Sequence, residues 1–356
     1  MSTEMQTRFT DIFDKCNTEA GYFGRQRAAG DRYLTRPTLD PKADARMEFH
    51  GKSMIMWSVN NYLGLADNQE IKKAAVEAAQ EFGVSSPMGS RMMTGTTEYH
   101  LELERSLAEY AQKEAAFLFN YGYLGVIGTV ASLAGPDDVV VMDKLAHACI
   151  VDAAFMAPGQ VRVFRHNDMN SLEAVLKRTN RGRKGGVMIL TEGVYGMTGD
   201  LAKIPEICDL KEQYDARLFI DDAHGWGVMG DNGRGVGEYY GVQDKIDVYF
   251  GTFAKAFASI GGFSASTQAV VDWIGYNART QVFAKSLPMV YVRSLQRTVP
   301  LVRDGSHLRA KMWENSNRLK TGLRDLGYFV GDADSPICAV FVPIGEESVD
   351  FVGGQT

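Results

Sequence analysis

Short apolar bursts alternate along the chain with stretches whose apolar positions recur every three or four residues. This is the pattern of a parallel sheet covered by helices on both faces. Strands are predicted at 138–143 (DVVVMD), 161–166 (VRVFRH), 186–193 (GVMILTEG), 216–224 (ARLFIDDAH) and 247–255 (DVYFGTFAK), all rich in β-branched or aromatic residues. Between and before them, NQEIKKAAVEAAQEFG, EYHLELERSLAEYAQK, NSLEAVLKR and IPEICDLKEQY carry charges opposite an apolar stripe and are predicted helices. Beyond about residue 290 the strand pattern fades, and the amphipathic segment HLRAKMWENSNRLKTGLRDLGY opens a second, smaller lobe. The expected organisation is an N-terminal arm over 1–55, a large domain over 56–290 and a small domain over 291–356. No internal repeat interrupts it.

Composition narrows the class of function. The 356 residues are 45% hydrophobic and 23% charged, as in an ordinary globular protein. A net charge of −6 argues against a nucleic-acid partner, and the one basic run, RTNRGRKGG, reads as a solvated loop. Cys16, Cys149, Cys208 and Cys338 are widely spaced with no CxxC, which implies a reducing compartment and no zinc site. The first residues show no basic-then-apolar leader and no apolar run reaches the length of a membrane span. The expectation is a cytoplasmic protein, for which a peripheral membrane contact stays open.

In such sheets ligands sit beyond the carboxyl ends of the strands. One strand ends in Asp221, Asp222, Ala223 and His224, and another in Thr252 and Lys255. Lys255 is the single charge in FGTFAKAFASIGGF, so it either snorkels to water or is kept from it for a purpose. NYGYLG is a small-residue turn opening a helix whose free N–H groups suit a phosphate. The competing phosphate signature GWGVMG, Gly225 to Gly230, follows a strand but leads into the glycine-rich DNGRGVGEYYG rather than a helix, so it is not a dinucleotide loop. Nor is GKS at 51–53 a phosphate loop, because Arg46 stands where a glycine is required. A lysine, an acid and a phosphate cradle on one edge point to pyridoxal phosphate: the lysine carries the cofactor, the acid keeps the pyridine nitrogen protonated and the helix start holds the phosphate.

These segments also carry a resemblance. GTFAKAFASIGGF, IDDAHGWGVMGDNGRG, SVNNYLGL, MGSRMMTGTTEYHLELE and DKLAHACIVD, which lie along the chain in the family's order, resemble the α-oxoamine synthases over about residues 20–345. The resemblance implies a pyridoxal-phosphate-dependent transferase of fold type I, with a mainly parallel seven-stranded-type α/β sheet between helices and a smaller α+β C-terminal domain. It implies decarboxylative condensation of an amino acid with an acyl-CoA. TFAKAFASIGGF, TEGVYGMTGD and NARTQVFAKSLPM are most similar to bacterial serine palmitoyltransferases, which implies L-serine and palmitoyl-CoA as substrates and a homodimer. Glycine C-acetyltransferase and 8-amino-7-oxononanoate synthase share the framework, and an inactive binding protein on this fold would be expected to lack Lys255 or Asp221.

By this resemblance Lys255 is the cofactor-bearing lysine and general base, Asp221 pairs with the pyridine nitrogen, and His224 donates to the ring oxygen. His147 stacks on the ring, Gly122, Tyr123 and Thr252 hold the phosphate, and Asn60 lies near the substrate carboxylate. Ser286 is expected to reach the cofactor of a partner subunit. Gly196 and Ala254 stand where many members carry hydroxyls, so fewer side chains are left for the phosphate. The family's small domain continues past SPICAVFVPIGEE to an arginine for the substrate carboxylate. Here no arginine follows Arg324, so the small domain reads as incomplete and this form is expected to bind cofactor but turn over poorly.

Overall fold

The computed structural model describes residues 11–21, 24–28, 30, 37–57, 59–332 and 334–340. The chain divides into two units, one of residues 1–58 with 342–356 and the other of residues 59–341. In the first, helix α1 (Gly24–Ala28) precedes an antiparallel hairpin of β1 (Arg46–Phe49) and β2 (Lys52–Ile55). Its two turn residues, His50 and Gly51, have φ of 50° and 70°, the left-handed pair that matches strand twist in a tight hairpin.

The second unit opens with α2 (Gln69–Phe82) and α3 (Glu98–Tyr110), then β3 (Ala115–Phe119) and α4 (Gly122–Leu133). Three α/β steps follow: β4 (Val139–Asp143) and α5 (Ala148–Met156); β5 (Gln160–Phe164) and α6 (Met169–Asn180); β6 (Val187–Glu192) and α7 (Ile204–Gln213). Then come β7 (Arg217–Asp221), α8 (Val236–Tyr239), β8 (Val248–Thr252), β9 (Gly262–Ser266), α9 (Gln268–Asn277), α10 (Arg279–Val282), α11 (Met289–Arg303) and α12 (Ser306–Asp325).

The seven strands β3 to β9 form one sheet in the order β3-β9-β8-β7-β6-β4-β5. The pairs from β8 to β5 are parallel, and β9 is antiparallel to both of its neighbours. Both faces are covered. Along β4, Val139 and Val141 enter one apolar cluster with Leu103, Ile189 and Leu218, while Val140 and Met142 enter the other with Val126, Leu190 and Phe219. Alternate side chains leaving opposite faces explain why this strand reads as an unbroken apolar run. Each such fully buried side chain stabilises the fold by about 1.5–3 kcal/mol.

The five predicted strands are all present, each shorter at its carboxyl end than the apolar burst except the first, which ends where predicted. β3 (AAFLF) and β9 (GFSAS) carry no β-branched residues and gave no strand signal. The small domain expected from 291 is not a separate unit: α11 packs on α2 and α3, and residues 291–341 group with the sheet. Among the described residues, no strand follows β9 and no helix is long and apolar enough to cross a membrane. The remainder of the predicted small domain, 341–356, lies outside the described residues.

Candidate active site

The carboxyl ends of β4, β6, β7 and β8 bring Asp143, Glu192, Asp221 and Thr252 to one edge of the sheet. Asp221 is 4% exposed and accepts from the Cys149 thiol at 3.4 Å and the Ala223 N–H at 3.1 Å. Burial raises its pKa, opposed by the charge of Lys255 and by these donors. Lys255 follows β8 on an alanine-rich turn, FAKAFAS. Burial lowers its pKa, while Asp221 and Glu192 pull the other way. No hydrogen bond or ion pair to its amine occurs among the described residues, so the lysine is a desolvated, unengaged amine beside two carboxylates.

His147 and His224 stand on either side. His147 caps the start of α5: its Nδ1 accepts from the Cys149 N–H at 3.2 Å, and its own N–H donates to Glu192 Oε1 at 2.7 Å. The cap fixes the imidazole over the helix start while the ring stays exposed. His224 Nδ1 lies 2.8 Å from the Tyr62 hydroxyl. Burial, then Lys255 and His147, lower the His224 pKa to about 3, so its ring is neutral at physiological pH. Burial raises Tyr62 to about 12, so it keeps its proton. With Tyr62 donating to Nδ1, the ring proton sits on Nε2, which faces Gly196: a Cβ there would come within 2.4 Å of it. That close approach gives a local reason for glycine where a hydroxyl was expected.

The helix start at Gly122 meets the end of β8 directly, since a Cβ at Gly122 would lie 2.7 Å from Thr252 Oγ1. Tyr121 precedes α4 without a side-chain cap, leaving first-turn N–H groups for an anion. Thr252 donates to the Gly261 carbonyl at 3.0 Å and accepts from the Ala254 N–H at 3.3 Å. Tyr123 donates to Asp152, and its ring meets that of His147 edge-on at 6.3 Å. These donors fit pyridoxal phosphate: an uncapped helix start for the phosphate, a buried carboxylate for the ring nitrogen, a neutral imidazole N–H and an unengaged amine. Bound there, the cofactor would supply an electron sink for cleavage of bonds at the substrate α-carbon.

Two expected residues make no side-chain hydrogen bond to this group among the described residues. Asn60 is exposed and makes no side-chain hydrogen bond among the described residues; it is Tyr62, two residues on in NNYLGL, that reaches the site. Ser286 is 3% exposed, and its hydroxyl is enclosed by its own chain: a Cβ on Gly95 would lie 2.7 Å from Oγ, and its N–H donates to the Gly89 carbonyl at 2.8 Å. The hydroxyl has no partner in this single chain, and it is not presented on the surface.

Sequence reasoning gave no role to Glu192, Cys149 or Asp222. Asp222, fully buried, accepts from the Val236 N–H at 2.8 Å and the Tyr249 hydroxyl at 2.7 Å. A Cβ on Gly225 or Gly235 would come within 2.1 and 1.9 Å of its carboxylate. Gly225, the first glycine of the false dinucleotide signature, and Gly235 beyond it are thus packing space around a buried acid.

Burial raises Glu192 to about 8 and Asp222 to about 7, far above their values in an unfolded chain. Their contribution to stability is present below about pH 4 and is lost as pH rises through 7 and 8. The cofactor-free protein is therefore expected to melt lower at about pH 8.5 than at about pH 5.5. Glu192→Gln keeps an acceptor for the His147 N–H without the charge, and should recover a few °C (about 2–4) of that fall. Thermal melts of both proteins across this range check it; a melting temperature that climbs with pH contradicts it.

The family model for aminotransferase class I and II matches residues 52–348. The chain is 42% identical over 335 residues to a cysteate-C-fatty acyltransferase of Capnocytophaga ochracea, covering 93% of this chain and 80% of that one. It is 37% identical over 315 residues to an 8-amino-7-oxononanoate synthase of Alkaliphilus metalliredigens, covering 88% and 79%. Among solved structures, it is similar to serine palmitoyltransferase from S. paucimobilis with pyridoxal phosphate and myriocin bound, with a TM-score of 0.84 and 28% identity over 92% of this chain and 82% of that one.

Proposed function

Because the chain belongs to the aminotransferase class I and II family and, within it, to the pyridoxal-phosphate-dependent α-oxoamine synthases, we propose that it condenses L-serine with palmitoyl-CoA to 3-oxosphinganine, coenzyme A and carbon dioxide. The observation that carries an acyltransferase of this kind is Lys255, a desolvated amine beside Asp221 with no ion-pair partner among the described residues. In this reading Lys255 carries the cofactor at rest and takes the substrate α-proton when freed. With the cofactor bound, Asp221 would hold the proton at the ring nitrogen, His224 Nε2–H would donate to the ring oxygen, and His147 would cover the ring face. Exposed apolar side chains, among them Met93 at 82% and Phe283 at 75%, support a homodimer. The cytoplasm is the compartment this reading takes, which four free cysteines support.

The choice of serine rests on the wording around Lys255 and on the likeness to serine palmitoyltransferase. A second reading, L-cysteate with a fatty acyl thioester, is favoured by the 42% identity to a cysteate-C-fatty acyltransferase. The two share reaction and acyl donor and differ in a hydroxyl against a sulfonate. The loaded protein, offered serine, cysteate, alanine and glycine with palmitoyl-CoA or acetyl-CoA, decides between them by product mass and coenzyme A release. Serine with palmitoyl-CoA is expected to exceed glycine with acetyl-CoA by at least about tenfold in kcat/KM, the worth of one well-placed polar contact. Preference for cysteate moves the assignment to the second reading, and preference for glycine with acetyl-CoA, or for alanine, overturns both.

A further inference from the structure

His166, in the turn from β5 to α6, has no part in the cofactor reading, yet acids engage both of its ring nitrogens. Nδ1 lies 2.9 Å from Oδ1 of Asp143, at the buried end of β4. Nε2 lies 3.3 Å from Oδ2 of Asp200, in the loop 193–203 that follows β6. Asp143 also accepts from the Leu145 N–H at 2.8 Å and the Asn167 N–H at 2.9 Å. The rings of His166 and Tyr195 meet edge to face with 4.5 Å between centroids, and the Tyr195 hydroxyl lies 2.8 Å from Thr191 Oγ1. Asn167, held at a φ of 51°, adds two bonds to the same loop: its amide donates to the Leu201 carbonyl at 2.8 Å and accepts from the Lys203 N–H at 3.1 Å.

The loop held in this way borders the candidate active site. Its Gly193 N–H donates to the Asp221 carbonyl at 2.8 Å, and its Gly196 N–H bonds to Glu192. A Cβ on Gly196 would lie 2.4 Å from His224 Nε2, so the backbone here sets how far that ring can move. Tyr195, the residue before Gly196, donates its N–H to the Asp200 carbonyl at 2.9 Å, and the Ala202 N–H donates to the Gly193 carbonyl at 3.1 Å. A shift of Asp200 therefore reaches Gly196, and with it His224, through a single intervening residue.

Resting on the reading that His224 serves the cofactor ring, we propose that His166 is a positioning residue: as an imidazolium bridging Asp143 and Asp200 it seats the 193–203 loop against His224, and on losing a proton it releases Asp200. Only the charged ring has two N–H groups, so only that form can donate to both acids at once. Burial alone would favour the neutral ring, but the bonds and charges of Asp143 and Asp200 outweigh it and raise the His166 pKa above its ordinary value. The bridge is therefore fully formed below about pH 6.5 and is lost as pH rises through the raised value. The remaining proton stays on Nδ1, because Asp143 is buried, whereas the Asp200 carboxylate is 42% exposed and can turn to water. Of the other polar groups around the ring, burial keeps Tyr195 protonated, and Arg165 pairs with Asp168 at 2.7 Å on the surface.

Hydrogen exchange tests the bridge, read by mass on a peptide spanning 193–203 in the full cofactor-free chain at about pH 6 and about pH 8.5, each corrected for the intrinsic rate. In the wild type, protection of the loop should fall at least about fivefold at the higher pH, the scale for losing one charge-assisted hydrogen bond. Asp200→Asn should abolish that difference and keep the loop protected, because its amide accepts from the imidazolium and donates to the neutral ring. His166→Gln, which can hold only one of the two acids, should leave the loop weakly protected at both values. Pyridoxal phosphate affinity, titrated on the same proteins, should weaken with pH at least about threefold more in the wild type than in Asp200→Asn. That comparison cancels the titrations of Lys255 and Glu192, which both proteins share. Equal wild-type protection at both pH values, or an Asp200→Asn protein that keeps the wild-type pH dependence, overturns the proposal. So does a loop that responds while the two cofactor affinities change in parallel. If the loaded protein turns over neither serine nor cysteate with palmitoyl-CoA the acyl-transfer reading fails, and exchange with cofactor affinity still decides the role of His166.

Discussion

Replacing Lys255 by alanine is expected to abolish covalent attachment of pyridoxal phosphate and to lower turnover by at least about 10³-fold, the scale for removing a residue that is both nucleophile and general base. After borohydride reduction the wild-type peptide spanning Lys255 should retain the cofactor's mass, and the variant peptide should not. The fold should survive. The amine makes no ion pair or hydrogen bond among the described residues, and burial already disfavours its charge, so its removal leaves no partner stranded. A melting temperature within a few degrees of wild type, together with lost labelling, is the expected signature. Persistent labelling at another lysine would show that the cofactor is carried elsewhere.

The second large effect is expected at Asp221. Asp221→Asn preserves the volume and the acceptor for the Ala223 N–H, at 3.1 Å in the wild type. In the proposed reading it removes the buried charge that would hold a proton on the cofactor's ring nitrogen. An amide offers no compensating charge, so the ring loses most of its electron-withdrawing power and turnover should fall by about 10²–10³-fold. Cofactor affinity should fall less, because in the proposed reading the phosphate would be held at the start of α4, away from Asp221. Steady-state rates and a cofactor titration separate these effects, and activity within a few-fold of wild type would assign the ring partner to another group.

How much of this was legible in the sequence follows from what each residue reports on. Strands buried on both faces announce themselves as apolar runs, so β4 to β8 were found. β3 and β9 were not, because their small and aromatic residues acquire strand character only by pairing across the sheet. Lys255 stood out as the single charge in an apolar stretch, and Asp221 and His224 as polar residues ending a strand. Tyr62 did not, because its role is set by a contact with His224, 162 positions away. Glu192 ends a strand that was predicted, so its position was available as a signal: it is the acid after an apolar run on the same edge as Asp221. Cys149 gave none, since a cysteine inside an apolar helix start is indistinguishable from core until the neighbouring strands are in place.

The position of β3 has a consequence for how the protein is made. This strand is wholly buried and apolar, and its only partner in the sheet is β9, which lies 143 to 151 residues later in the chain. At a synthesis rate of roughly 5–20 residues per second, its edge waits about 7–30 s for that partner to leave the ribosome. During this interval the nascent chain presents an unpaired apolar strand, the kind of surface that recruits other chains. Yield in the cell should therefore depend on elongation speed and on chaperones that hold such edges, even though the finished sheet covers β3 with α3, α4 and α9.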